Sequence, residues 1–212
     1  MKTTRLIFNI MLPLLVFVFI TINVINKSTA AFDQQIYSLV SKAISEKTTF
    51  LMVIITFFAS GTFLTAVSIM LLPFFFMKNE KYSFNAAMII INSSLSALVN
   101  LGFKVLINRS RPDILRLIEI SGLSYPSGHS MAAMSFYGFF IYLCYRSFKF
   151  KNKYIIVSLC SILIVLIGFS RIYLGVHYAS DVLGGFSLGL LWLGIFTWIV
   201  DKKYRKNLYN HK

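Results

Sequence analysis

Apolar runs of about twenty residues, separated by short polar turns, constrain this chain of 212 residues more than any other feature in it. Inside hydrocarbon every backbone N–H and C=O needs a partner within the protein, which leaves only helices and closed barrels. Runs this long, without the strict alternation of a barrel strand, read as helices. The expected fold class is therefore all-α, a polytopic membrane protein with six transmembrane helices and a short amphipathic surface helix after the first. Composition agrees, with 57% apolar, 16% aromatic and only 13% charged residues. The net charge of +14 would suit nucleic acid, but the basic residues sit in clusters between the apolar runs. There they act as topology signals and lipid headgroup contacts, so no nucleic-acid partner is expected. Cys144 and Cys160 fall inside apolar runs, where a thiol behaves as a small hydrophobe, and neither a disulfide nor a metal cluster is expected of them.

The first run, Leu6 to Ile25, precedes Ser28-Thr29-Ala30, which resembles a signal-peptidase site. The apolar stretch exceeds the usual core of about 7 to 15 residues in a secretory signal, so it reads as a retained first span. Phe32 to Thr48 has Phe32, Ile36, Leu39, Val40, Ala43 and Ile44 at helical spacing and polar residues opposite, the pattern of a helix lying on the membrane surface. Further spans are expected at about Phe50–Met77, Phe84–Ile107, His129–Tyr145, Tyr154–Ser170 and Val176–Val200. With no repeat or linker in between, residues 1–212 read as a single integral membrane domain whose chemistry-bearing core is 84–200. In that arrangement thirteen Lys and Arg fall on the side of the two termini and seven on the other, with Lys104 inside a span. The positive-inside rule makes both termini cytoplasmic and puts the connections bearing Arg109, Arg111, Arg116 and Arg171 outside.

Helix parity then gathers the unusual polar residues on that outer face. Lys104 ends the third span, followed by Arg111-Pro112; Pro126-Ser127-Gly128-His129 opens the fourth; Ser170-Arg171 ends the fifth; His177 and Asp181 open the sixth. Four residues apart at the start of a helix, His177 and Asp181 share a face, so the carboxylate can take one ring N–H and leave the other nitrogen as a nucleophile or base. Ser127 is a natural helix cap and Gly128 permits close approach to the free N–H groups of a helix N-terminus, an anion site. Lys104, Arg111 and Arg171 add cations in surplus, which suits a phosphoryl group in transfer. Metal catalysis would need clustered carboxylates, and of Asp33, Glu46, Asp113, Glu119 and Asp181 only the last lies beside the histidines, so no metal and no cofactor are expected. Arg109 reads as a headgroup contact, the 113–125 loop as either a half-buried lid or a plain interfacial connector, and His211 as inert.

Lys104 with six residues before Arg111-Pro112, Pro126-Ser-Gly-His129, and Ser170-Arg171 with five residues before His177 and three more before Asp181 resemble the three-part signature of the type-2 phosphatidic acid phosphatase superfamily. The resemblance implies that His177 attacks phosphorus and becomes a phosphohistidine with Asp181 orienting it. His129 protonates the departing oxygen and then activates water, and Lys104, Arg111, Arg171, Ser127 and the Gly128 amide hold the phosphoryl oxygens. It also implies a lipid phosphate in the outer leaflet as substrate, with undecaprenyl diphosphate first and phosphatidylglycerophosphate or phosphatidic acid next. The contrasting class is a protein that binds or transports anionic lipid without turnover, a task that needs cations but no oriented imidazole. Nothing in the sequence speaks to the oligomeric state.

Overall fold

The structure, a computed structural model, describes residues 3–73, 80–146 and 153–210, with side chains from 8 to 73, 82 to 146 and 153 to 203. The end of the expected second span beyond 73, the basic residues Lys78, Lys149, Lys151 and Lys212, and His211 lie outside the described residues. Among the described residues the chain is helical without strands. Helix α1 (Thr3–Ile25) leads through a short turn to α2 (Ala30–Val40) and a 3-10 turn (Ser41–Ala43). Then come α3 (Glu46–Phe57), α4 (Gly61–Leu71), α5 (Glu80–Ile107), α6 (Gly128–Arg146), α7 (Lys153–Tyr173) and α8 (Ala179–Asn210). The amphipathic segment is shorter than expected, because Ser45 and Thr48 cap each other reciprocally and start α3 at Glu46. The second span is broken: Ser60 caps a new helix by accepting the Phe63 N–H, and α3 and α4 meet at 41°.

Among the described residues four helices are long and apolar enough to cross a membrane, α1, α5, α7 and α8, and the bent α3–α4 pair makes a fifth if its two helices form one span. The expected fourth span, α6, has the length but not the apolarity. The reason is its place in the bundle, packed against α5, α7 and α8, where Ser130, Ser135 and Gly138 are buried. A helix ringed by protein can carry polar residues that lipid would penalise, provided each finds a partner. Asn92 of α5 donates to the Ser135 carbonyl at 2.9 Å, the hydroxyls of Ser96 and Ser135 meet at 2.9 Å, and Trp192 Nε1 of α8 donates to Asn92 Oδ1 at 2.9 Å. The first of these polar locks join α5 to α6, and the last joins α8 to α5.

Close approach brings the other signature-bearing ends together. Gly185 of α8 lies against the start of α6 so tightly that a Cβ there would sit 2.6 Å from the Ser127 carbonyl oxygen. The Ser127 N–H donates to the Asp181 carbonyl at 3.0 Å. Between α7 and α8, Gly175 takes φ +70°, and a Cβ would meet the Leu115 carbonyl oxygen at 2.3 Å. The 113–125 loop is thereby clamped onto this turn: the Leu117 N–H donates to the Leu174 carbonyl at 3.1 Å, and Leu117, Ile118 and Ile120 pack on buried Met52, Tyr173, Leu174 and Val176.

Candidate active site

His177 does not lie on α8, as expected, but in the turn before it, two residues ahead of Ala179. The pair survives because Asp181, in the first turn, also accepts the Tyr178 N–H at 3.0 Å, folding the turn back over the carboxylate. His177 Nδ1 is 3.4 Å from Asp181 Oδ2 and 3.2 Å from Ser124 Oγ, and Ser124 Oγ donates to the same Oδ2 at 2.5 Å. Arg111 Nη1 stands 3.2 Å from His177 Nε2. An ionised carboxylate can only accept and a guanidinium can only donate, so the proton belongs on Nδ1 and Nε2 carries the lone pair. Burial pushes His177 down to about 4, outweighing the support that Asp181 gives the imidazolium. At neutral pH its ring is an uncharged base with its unprotonated nitrogen turned toward Arg111.

Those cations are held by carbonyls. Lys104 Nζ donates to Leu123 and Ser124 oxygens at 2.7 and 3.2 Å. Arg111 donates to the carbonyls of Gly122, Val176 and Ser121 at 3.0, 2.8 and 3.2 Å, and burial, then Arg116, lower its pKa against the pull of Asp181. Arg171 is different. It is 1% exposed, its Nη1 donates to Thr56 Oγ1 at 2.7 Å, and its Nε and Nη2 have no hydrogen-bond partner among the described residues. Two unsatisfied buried donors on one guanidinium are costly in a structure with nothing to receive them, and a phosphoryl oxygen pair matches their fork. Half-buried His129, in the first turn of α6, lies within electrostatic reach of Arg171, His177, Arg111 and Lys104, so all five side chains share one field. Ser127 caps α6: its Oγ accepts from the Ser130 N–H at 3.4 Å and the Ser130 hydroxyl at 2.9 Å. Gly128 is half-buried, and a Cβ there would stand 3.2 Å from Asn100 Oδ1 and 3.9 Å from Lys104 Cε. Every residue expected at the site is thus brought to this one end of the bundle.

Arg109 requires a correction. In place of a lipid headgroup it holds two carboxylates, Asp181 at 2.7 Å and Asp33 at 2.9 Å. Sequence reasoning also passed over Asp33, which is buried, Ser124 and Thr56. The only signal for Asp33 was an acid in the first turn of a surface helix on the face that holds the cations. Ser124 and Thr56 carry no sequence signal at all, since each works through a neighbour distant in the chain. Tyr125, stacked on Phe17 with ring centroids 6.2 Å apart and sharing a 2.7 Å hydrogen bond with Thr21, ties the loop to α1, and its burial pushes the phenol up to about 12.

Among the described residues no three His, Cys, Asp or Glu stand together as metal ligands. Residues 82–205 match the model of the PAP2 superfamily. Phosphatidylglycerophosphatase B of Bacillus subtilis (strain 168) is 46% identical over 96 residues, covering 44% of this chain and 47% of the relative. Lipid phosphate phosphatase delta of Arabidopsis thaliana is 29% identical over 80 residues, 36% of this chain and 19% of the relative. The matched stretch thus spans about half or less of these curated relatives. Among solved structures, the transmembrane PAP2-type phosphatidylglycerolphosphate phosphatase from Bacillus subtilis superposes with a TM-score of 0.81 at 29% identity, covering 90% of this chain and 94% of that one. LpxE of Aquifex aeolicus shares the fold, with a TM-score of 0.60 at 24% identity over 77% of this chain and 93% of that one.

Proposed function

The chain belongs to the PAP2 superfamily, and from that premise we propose that it is an integral membrane phosphatase that removes phosphate from a membrane lipid at the outer leaflet. The observation that carries this reading is His177 with Nδ1 turned to Asp181 and Nε2 toward Arg111, at one end of a cluster containing the unsatisfied donors of Arg171. Nε2 attacks phosphorus, forming a P–N bond as the bond to the lipid oxygen breaks with its electron pair. His129 supplies that oxygen's proton. His129 then takes a proton from water, whose oxygen bonds to phosphorus while the P–N pair returns to Nε2, releasing inorganic phosphate. Lys104, Arg111, Arg171, Ser127 and the Gly128 amide hold the phosphoryl oxygens as charge spreads over them. The donor set serves this chemistry without a metal, since cations surround the site and Asp181 is engaged by Ser124, Tyr178 and Arg109.

The name of the 46% identical relative moves phosphatidylglycerophosphate ahead of undecaprenyl diphosphate as the first substrate to try, for the signature residues address the phosphate that all these lipids share. Detergent-solubilised protein supplied with phosphatidylglycerophosphate, phosphatidic acid and undecaprenyl diphosphate should release phosphate fastest from the first. Activity should persist in chelator and fall with vanadate, which mimics five-coordinate phosphorus. Binding of these lipids without release of phosphate would support the carrier reading instead, and activity lost to chelator and restored by a divalent ion would remove His177 as nucleophile.

A further inference from the structure

Arg109 stands outside every signature position, two residues before Arg111, yet it makes the closest ionic contact to the carboxylate of the pair. Its Nη1 donates to Asp181 Oδ1 at 2.7 Å and to Ser180 Oγ at 2.8 Å; its Nη2 donates to Asp33 Oδ2 at 2.9 Å and Thr29 Oγ1 at 3.3 Å. The guanidinium lies 4.0 Å over the Tyr178 ring, which fixes its plane. Asp33, 4% exposed on α2, accepts the Ser180 N–H at 2.8 Å and the Ser180 hydroxyl at 2.7 Å, so a carboxylate from the surface helix closes the first turn of α8. The two oxygens of Asp181 are thereby divided: Oδ2 receives Ser124, the Tyr178 N–H and His177, and Oδ1 receives Arg109.

We propose that Arg109 is a positioning residue for the nucleophile, holding Asp181 from the side away from His177, and that Asp33 holds Arg109 there and so makes the seating of α2 a condition of the reaction. This rests on the phosphatase reading above. A planar fork can serve two carboxylates at once where a lysine serves one. With both forks occupied by carboxylates and hydroxyls, Arg109 acts on the chemical step and leaves phosphate binding to Lys104, Arg111 and Arg171. The charged and titratable groups that face Asp181 are His177, Tyr178, Arg109, Lys104, Arg111 and Tyr125, with Asp33 behind Arg109.

The signs of the two charges set the test. Arg109 offsets part of the Asp181 charge felt at His177, so its removal favours the imidazolium and moves the acid limb of kcat/KM upward in pH. Asp33 both holds Arg109 and offsets its charge, and these act on His177 in opposite senses, so neutralising Asp33 moves the limb upward by less than removing Arg109 does. Full-length protein in detergent is assayed against pH with phosphatidylglycerophosphate. Arg109→Gln should lose about 10- to 100-fold in kcat with KM within about twofold, and its acid limb should rise by about one pH unit. Arg109→Lys should restore the limb and part of kcat, and Asp33→Asn should lose kcat with a smaller rise than Arg109→Gln. Where Arg109→Gln does not fold, the other two decide: reduced kcat in both, with KM within about twofold and the limb unraised in Arg109→Lys, supports the proposal. Unreduced kcat, a kcat loss matched by KM, an unmoved limb in folded Arg109→Gln, or a limb raised further in Asp33→Asn than in Arg109→Gln overturns it. A wild-type protein inactive on every lipid phosphate would overturn the phosphatase reading and this proposal together, whereas an active wild type with indifferent variants would overturn this proposal alone.

Discussion

His177 and His129 are held in different ways, and the difference predicts different kinetics. His177 is engaged at both ring nitrogens, by Asp181 and Ser124 on one side and Arg111 on the other, as a nucleophile must be to keep one lone pair aimed. The His129 ring makes no hydrogen bond to the described residues and is free to face first a leaving oxygen and then water. A phosphate ester of a nitrophenol needs no proton on departure. In a single turnover His129→Ala should therefore still release a burst of the phenol and keep phosphate on the protein, while His177→Ala should give neither. Labelled phosphate trapped on His177→Ala, or equal bursts from both variants, would exchange or abolish these roles. The signature positions were legible because a titratable or cationic side chain at the end of an apolar run is costly without a use. Ser124 and Asp33 were not, because a serine or a surface aspartate is unremarkable until folding shows what it touches.

At the scale of elements, the site depends on how closely α6 and α8 approach. Gly185 marks a point where the approach is to backbone, and Gly185→Ala would drive a methyl into the Ser127 carbonyl and the Ser130 side chain. Backbone cannot yield as a side-chain tip can, so this variant should unfold at lower temperature in detergent, by about 1–3 kcal/mol, and lose activity as the cap residue and His129 are pushed from His177. An unchanged melting curve with full activity would show that the bundle absorbs the methyl. Helical periodicity predicted the elements well, while their ends moved: α8 begins at Ala179, past His177, and α3–α4 bends where one straight span was expected. Both differences come from local capping, by Asp181 folding the turn at Tyr178 and by Ser60 starting a new helix, and apolarity carries no information about either.

At the scale of the whole molecule, the orientation we propose rests on the six-span count of thirteen Lys and Arg on the side of the termini against seven on the side of the site. A reporter that fluoresces only in the cytoplasm should be bright when fused after Lys212 and dark when fused after Ser121, and the reverse would move the proposed reaction to the inner leaflet. Chain sequence alone determined that this is a helical membrane protein and which ends of its apolar runs bear the polar residues of the candidate site, because both follow from the cost of polar groups in hydrocarbon, a property of each segment by itself. Only the tertiary structure decided that α6 is the polar centre of the bundle, that Arg171 keeps two donors unsatisfied, and that Arg109 joins Asp33 to Asp181. Such facts are set by which side chains meet across helices distant in sequence, and the pattern within one helix does not encode its partner on another.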